Sequence, residues 1–303
     1  MPRPPSPLAV VLNATAGTGC PPEWVTQLRG QFAAHGIDAQ VEQVAQGSQI
    51  IPTVQRFLGR GARTIVAGGG DGTISAVASQ LAGTEAVLGV LPLGTLNHFA
   101  KDLGMPLAQE EAVAAIAAGT VEAVDVGEVN GRIFINNSSI GLYPEIVRER
   151  ELQQLRLGKS KWRALASASL HATEGNPGIA VHIAAEDEEH LRRTPFVFIG
   201  NNRYVMEGFD IGARETLDAG ELALYLGRRR GRLGLVLLAL RALLRRLEQS
   251  EDFEVLAGES FEITTRGKRI RVATDGEVTM MDTPLHYRIR PRALRVLAPP
   301  AKA

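Results

Sequence analysis

The sequence predicts an α/β domain followed by a mostly β domain, and three observations carry that expectation. In the first 120 or so residues, short apolar runs rich in β-branched side chains alternate with helix-length segments. Beyond them, short turn-bounded runs follow one another, several alternating apolar and polar residues as in Ala180-Val181-His182-Ile183-Ala184. The length, 303 residues, suits two domains at roughly 150 residues each and is ample for burying real cores. Strands alternating with helices argue for a parallel sheet with right-handed crossovers. Period-two alternation argues for antiparallel sheet with one face covered, and a β-sandwich is the expected packing.

Taken in order, Leu8–Leu12 reads as a strand that leaves into the loop Asn13–Gly19. Pro21 and Pro22 open a helix from about Glu23 to His35, closed by Gly36. A strand at Ala39–Val44, a helix at Ile50–Gly59, a strand at Arg63–Ala67 and a helix at Thr73–Leu81 follow. The α/β pattern ends with a strand at Val87–Leu91 and a helix from about Leu96 to Asp102. In the β region, strands are expected at Val124–Val129, Arg132–Asn136, Gly178–Ala184, Pro195–Gly200, Leu222–Leu226, Phe253–Leu256, Phe261–Thr264 and Ile270–Ala273. Two helical insertions interrupt it, near Glu145–His171 and about Arg228–Gln249.

Composition narrows the function. Thirty-three basic residues balance 33 acidic ones, which argues against a whole-surface nucleic-acid binder. Hydrophobic residues at 45% and charged residues at 22% exclude disorder as the main state. The single cysteine, Cys20, excludes an intramolecular disulfide and any cysteine-cluster metal site, as expected in a reducing compartment. Met1-Pro-Arg-Pro-Pro-Ser-Pro7 lacks the apolar core of a signal peptide, and the longest apolar run, Leu233–Leu240, is far below the roughly 20 residues of a spanning helix. A cytoplasmic protein is expected. The six histidines show no metal-ligand spacing, and the nucleophile-elbow pattern Gly-x-Ser-x-Gly is absent.

The strongest chemical signal is Gly68-Gly69-Gly70-Asp71-Gly72-Thr73, which follows a strand and opens a helix. Free backbone N–H groups and the helix dipole favour a phosphate there, and consecutive glycines let it approach. Asp71 would repel a phosphate directly, so it is expected to hold Mg²⁺ or to act one contact away. The loop lacks the Gly-Lys-Ser/Thr of a P-loop and the third glycine of a dinucleotide fingerprint. Alone, Gly-Asp-Gly would read as a tight turn. It is not alone. The next strand ends in Leu91-Pro92-Leu93-Gly94-Thr95-Leu96-Asn97, and Asn13–Gly19 leaves the first strand at the same sheet edge. Ligands of open α/β sheets bind at that edge, so a nucleotide phosphate site is expected.

These motifs, with Pro92–Ala100, Asp125-Val126-Gly127 and Asp275-Gly276-Glu277, resemble the diacylglycerol kinase catalytic domain family, which includes bacterial soluble lipid kinases and is related to the sphingosine and ceramide kinases. Order and spacing match from Asn13 to about Pro299. The resemblance implies an NAD-kinase/phosphofructokinase-like parallel-sheet domain, then a β-sandwich domain for the lipid substrate, with the C-terminal segment returning to the first domain. The expected division is 1–124 plus about 290–303, and 125–289. It also implies ATP and Mg²⁺, with the active site in the cleft between the domains. Asn13 and Gly17 match the first phosphate-side loop, Gly68–Thr73 the ATP loop, and Gly94, Thr95 and Asn97 the second ATP contact. Asp275 and Glu277 match the acidic pair that supplies the general base, and Asp125 a carboxylate coupled to the catalytic network. Ala14, Ser75 and His98 depart from the family's usual proline, asparagine and aspartate. Ala219 replaces the second aspartate of a structural Mg²⁺ site, leaving Asp218 as the candidate ligand.

The residues themselves agree with phosphoryl transfer, which needs positioning, charge neutralisation and a base near the accepting hydroxyl. If Asp275-Gly276-Glu277 is extended, its carboxylates share one side, and one accepts the proton while the other binds metal or orients the first. The plainer reading is a turn acid before a strand. Gly227–Leu247 joins an arginine cluster (Arg228, Arg229, Arg230, Arg232) to an apolar helix, as in membrane-surface elements; each arginine is worth about 1 kcal/mol near anionic headgroups. A core-packing helix with solvated arginines has the same composition. A second basic stretch from Arg148 to Arg163 belongs to the same face or to an exposed helix. The expected function is an ATP-dependent kinase of diacylglycerol or a related lipid, peripherally bound to membrane, with an exposed β edge offering a homodimer contact. A kinase of a soluble acceptor such as NAD, or a nucleotide-binding regulator without turnover, are the rival readings.

Overall fold

The computed structural model describes residues 4–17, 19–141, 179–185, 188–207, 210–214, 216–227 and 253–300. The helices expected near 145–171 and 228–249, and with them both basic stretches, lie outside the described residues. Two compact units emerge: residues 1–126, 216–219 and 290–303 form the first, and 127–215 with 220–289 the second.

In the first unit, strands β1 (Leu8–Asn13), β2 (Ala39–Val44), β3 (Thr64–Gly69) and β4 (Val87–Pro92) alternate with helices α1 (Glu23–Ala34), α2 (Ile50–Gly59), α3 (Asp71–Leu81), α4 (His98–Asp102) and α5 (Gln109–Ala118). All four strands pair in parallel in the order β2-β1-β3-β4. β1, β3 and β4 are buried almost end to end, as a parallel sheet covered on both faces requires. Because β1 runs to β2 on one side and to β3 on the other, the strand order reverses between β1 and β3. Their carboxyl ends therefore flank a switch point, where an open α/β sheet leaves a crevice.

The second unit draws on β5 (Thr120–Val129), β6 (Arg132–Phe134), β7 (Asn137–Gly141), β8 (Ile179–Ala185), β9 (Glu188–Thr194), β10 (Phe196–Asn201), β11 (Tyr204–Glu207), β12 (Asp210–Arg214), β13 (Leu222–Gly227), β14 (Phe253–Gly258), β15 (Ser260–Thr265), β16 (Arg269–Thr274), β17 (Glu277–Asp282) and β18 (Leu285–Ala298). One sheet runs β14-β13-β10-β7-β16-β17; a second carries β18-β15-β8-β9. Their inner faces share one core, in which Leu224, Val197, Ile140 and Val272 of the first sheet meet Ile183, Val181, Ile263 and Leu285 of the second. This is a β-sandwich. β5 and β18 each serve both units. The later part of β18 pairs in parallel with β4, Arg295 beside Val87, and extends the first unit's sheet to a fifth strand.

Two hairpin turns follow from dipeptide chemistry. Asn130-Gly131 joins β5 to β6, and Asp275-Gly276 joins β16 to β17. All four residues have positive φ (46°, 84°, 48° and 88°), the signature of a type I′ turn. Asp275-Gly276-Glu277 is thus a turn and not the extended segment that would place both carboxylates on one side.

Candidate functional site

Three loops leave the carboxyl edge of the first unit's sheet and interlock. Asn13, at the end of β1, donates from Nδ2 to Thr73 Oγ1 at 3.0 Å, across the switch point. Its Oδ1 accepts from the amide (3.1 Å) and hydroxyl (2.9 Å) of Thr15, fixing the loop that follows. Gly17 (φ +56°) packs so closely that a Cβ there would lie 2.4 Å from the Leu93 carbonyl oxygen. A Cβ on Gly94 would lie 2.6 Å from Gly70 Cα. Glycine is what allows the loops after β1, β3 and β4 to touch.

Gly68 and Gly69 finish β3, Gly70 caps α3 in an extended conformation, and Asp71, Gly72 and Thr73 make the helix's first turn. Thr73 N donates to Gly70 O at 2.9 Å, so the amides of Asp71 and Gly72 are the ones in this turn without an acceptor in the helix. A Cβ on Gly72 would meet nothing within 4 Å, so space for a ligand lies beside that amide.

Asp71 does something the sequence did not suggest. Its Oδ2 accepts from the amide of Asn97 (3.0 Å) and its Oδ1 from that of His98 (2.8 Å). The carboxylate is turned onto the start of α4, where it ties the second loop to the third. Asn97 sits in the left-handed region (φ 52°) and closes its own loop, accepting from Gly94 N at 3.0 Å and donating to Gly94 O at 2.9 Å. Thr95 and Leu96 between them are exposed.

Asp125 is only 1% exposed, too little for a ligand to reach; its Oδ1 accepts the amide of Arg292 at 2.8 Å. Asp218 Oδ1 accepts from the Thr216 hydroxyl, and its Oδ2 lies 3.7 Å from the Arg292 guanidinium. Among the described residues no group of three His, Cys, Asp or Glu side chains gathers there, so Asp218 would be the one carboxylate offered to a Mg²⁺, in competition with its contact to Arg292.

The second unit holds the acidic pair, and its two members differ. Asp275 accepts three backbone amides: Ile135 on Oδ2 at 2.9 Å, and Asn136 (2.8 Å) and Asn137 (3.1 Å) on Oδ1. Its own amide donates to Asn137 O at 2.9 Å, so the turn is buttoned onto the segment between β6 and β7. Three backbone amide bonds fix the orientation of the carboxylate. Glu277 is more exposed and pairs with Arg132, whose Nε also donates to Thr274 Oγ1 at 2.8 Å. That pairing suits neither a metal ligand nor a group that orients Asp275. Sequence reasoning passed over Arg132, Arg214, Asn201 and residues 135–137, because no motif marks a backbone amide or an arginine used at long range.

An open parallel α/β domain with glycine loops at its carboxyl edge, followed by an acid-bearing β-sandwich, is the class these features define, and comparison with known proteins makes it specific. The diacylglycerol kinase catalytic domain matches residues 7–129, and the YegS C-terminal NAD kinase beta sandwich-like domain matches 143–298. The chain belongs to the family that these two domains define, a diacylglycerol kinase catalytic domain followed by a YegS C-terminal NAD kinase beta sandwich-like domain. It is 47% identical over 90 residues to a probable lipid kinase YegS-like of Pseudomonas aeruginosa, covering 29% of this chain and 30% of that protein. A probable lipid kinase YegS-like of Enterobacter sp. (strain 638) is 32% identical over 150 residues, 48% of this chain and 49% of that one. The chain thus spans less than half the length of these relatives. The crystal structure of a putative diacylglycerol kinase from Bacillus anthracis superposes with a TM-score of 0.75 at 23% identity, covering 98% of each chain, and shows the same fold.

Proposed function

We propose that this protein transfers the γ-phosphate of ATP, taken up as its Mg²⁺ complex, to a hydroxyl of diacylglycerol or a related lipid. The observation that carries the reading is the interlocked trio of loops at the switch point, with the first-turn amides of α3 beside open space. Phosphoryl transfer asks little covalent chemistry of a protein and much positioning. The α3 amides and the helix dipole supply positive potential for phosphate oxygens. Asp71 keeps its charge on the neighbouring loop while it holds that loop in place. Asn13 and Thr73 brace the crevice from the β1 side. Asp275 accepts the proton of the attacking hydroxyl; its three amides hold one orientation, which spares reorganisation during the reaction. Glu277, paired with Arg132, contributes charge balance around the turn.

A Mg²⁺-dependent assay with γ-labelled ATP and mixed micelles of an extracted lipid pool, resolved by thin-layer chromatography, tests this. A labelled lipid that disappears in folded Asp275→Asn supports the reading and identifies the acceptor. ATP binding without any labelled lipid refutes it. The second reading, a kinase of a soluble acceptor, draws on the NAD kinase-like description of the β-sandwich family. Label transferred to NAD in the same assay would favour it. Peripheral membrane binding is a further part of the proposal, and flotation with anionic liposomes tests it.

A further inference from the structure

We propose that Arg214 is a positioning residue for Asp275, acting through the peptide group that joins Ile135 to Asn136. The proposal rests on reading Asp275 as the proton acceptor, and extends it to a residue more than 60 positions away that carries no motif.

Arg214, at the end of β12, is 5% exposed. Its Nη1 donates to Ile135 O at 2.6 Å and to Asn201 O at 3.1 Å, and its Nη2 to Asn136 Oδ1 at 3.2 Å. The guanidinium also lies over the Tyr204 ring, 5.6 Å from its centre. The carbonyl of Ile135 and the amide of Asn136 are the two ends of one peptide group. At the far end, Asn136 N donates to Asp275 Oδ1 at 2.8 Å. A cation, a peptide dipole and a carboxylate therefore stand in line, each bond polarising the next by about 10–30%. Asn201 reinforces the arrangement. Its Nδ2 donates to Ile135 O at 2.9 Å, and its backbone N donates to Asn136 O at 2.9 Å, behind the peptide whose other end, Asn137 N, bonds Asp275 Oδ1. Both peptides that serve Oδ1 are gripped from behind.

The buried guanidinium thus opposes protonation of Asp275 without touching it, and pins the Asn136 amide that aims Oδ1. Among the described residues, the charged groups beside the turn include Arg132 on β6 and Glu277 on β17, which pair with each other, and Arg203 and the half-buried Glu221 pair next to the loop that carries Asn201.

The test is a carbon-detected NMR titration of side-chain carboxyls in the full chain, with the Asp275 signal assigned by its loss in Asp275→Asn. The midpoint of Asp275 is expected to rise by about one pH unit, a tenfold change in proton affinity, in Arg214→Gln, and by less in Arg214→Lys, which keeps the charge but not the fork. A merely structural arginine would lower thermal stability and leave the midpoint where it was, and that result overturns the proposal. In the wild type, the Asn136 and Asn137 amides and the Arg214 side-chain N–H signals are expected to move with the Asp275 titration. Silence of the Arg214 signal overturns the proposal even if Arg214→Gln fails to fold. No substrate is needed, so failure of the lipid-kinase reading, seen in the label-transfer assay, remains distinguishable from failure of this one.

Discussion

Replacing Asp71 with asparagine separates two accounts of the most conspicuous acid in the glycine loop. In the structure, its oxygens accept the amides of Asn97 and His98 at 3.0 and 2.8 Å. Bonds to a charged acceptor are worth about 1.5–3 kcal/mol each, and neutral ones about 0.5–1.5. Asparagine keeps one oxygen, so one bond falls to the neutral value and the other becomes an amide facing an amide. The half-buried position favours the low end, for a net loss of about 2–3 kcal/mol. At about 2–4 °C per kcal/mol for a domain of 150–250 residues, thermal unfolding of the nucleotide-free protein should drop by about 4–12 °C. Loosening the third loop should also weaken Mg²⁺–ATP binding, read by calorimetry. If Asp71 instead served only to hold the metal, removing its charge would leave the nucleotide-free protein as stable as before. A melting temperature within about 1 °C of wild type, with ATP binding lost, would refute the clasp.

Gly94→Ala sets a Cβ 2.6 Å from Gly70 Cα and 2.8 Å from Asn97 Oδ1, so a loss of about 1–3 kcal/mol is expected in chemical denaturation, along with weaker ATP binding. Gly72→Ala is its counterpart: nothing lies within 4 Å, so stability should hold or rise by up to about 1 kcal/mol, while ATP affinity falls because the methyl enters the phosphate's space. Phe134, fully buried and edge-on to Tyr287 at 6.3 Å, should cost about 3–5 kcal/mol as alanine, measured by urea unfolding. Burial pushes the phenols of Tyr287 and, less far, Tyr225 above the usual tyrosine value. The folded state then keeps protons that the unfolded chain releases near pH 10, so their stabilisation is present below about pH 10 and lost as pH rises beyond it. Tyr287→Phe should flatten that alkaline decline in a series of denaturation midpoints, whereas an unchanged slope would assign the decline elsewhere.

Much of this was legible in the chain. Apolar runs between glycine-rich loops announced the parallel sheet, because strands buried on both faces must be continuously apolar. The three loops were legible because each is a small-residue run that follows an apolar strand of the parallel sheet. What escaped had a physical cause. α5 reads Gln-Glu-Glu-Ala-Val-Ala-Ala-Ile-Ala-Ala, whose alanines blur any apolar stripe. β7 reads Asn-Ser-Ser-Ile-Gly, a polar strand that lies mid-sheet because Ser138 bonds Ala273 O and Tyr287. The expected helix from Leu96 starts only at His98, since Asn97 takes a left-handed conformation to close its loop. The extended reading of Asp275-Gly276-Glu277 fails because Asp-Gly between two apolar runs favours a two-residue turn. Arg214 escaped because it meets Ile135 across 79 positions of chain, a distance over which a single sequence carries no pattern.

The last strand has a consequence for how the protein is made. β4 is synthesised by residue 92, but its parallel neighbour, Arg295–Val296 of β18, comes about 200 residues later. At roughly 5–20 residues per second, the ribosome leaves that edge of the first unit's sheet without its partner for roughly 10–40 s. An open edge in a sheet of such apolar strands is a template for wrong pairing. The first unit to emerge is therefore among the last to be completed, and the interval favours chaperone protection of that edge over early, independent folding of that half.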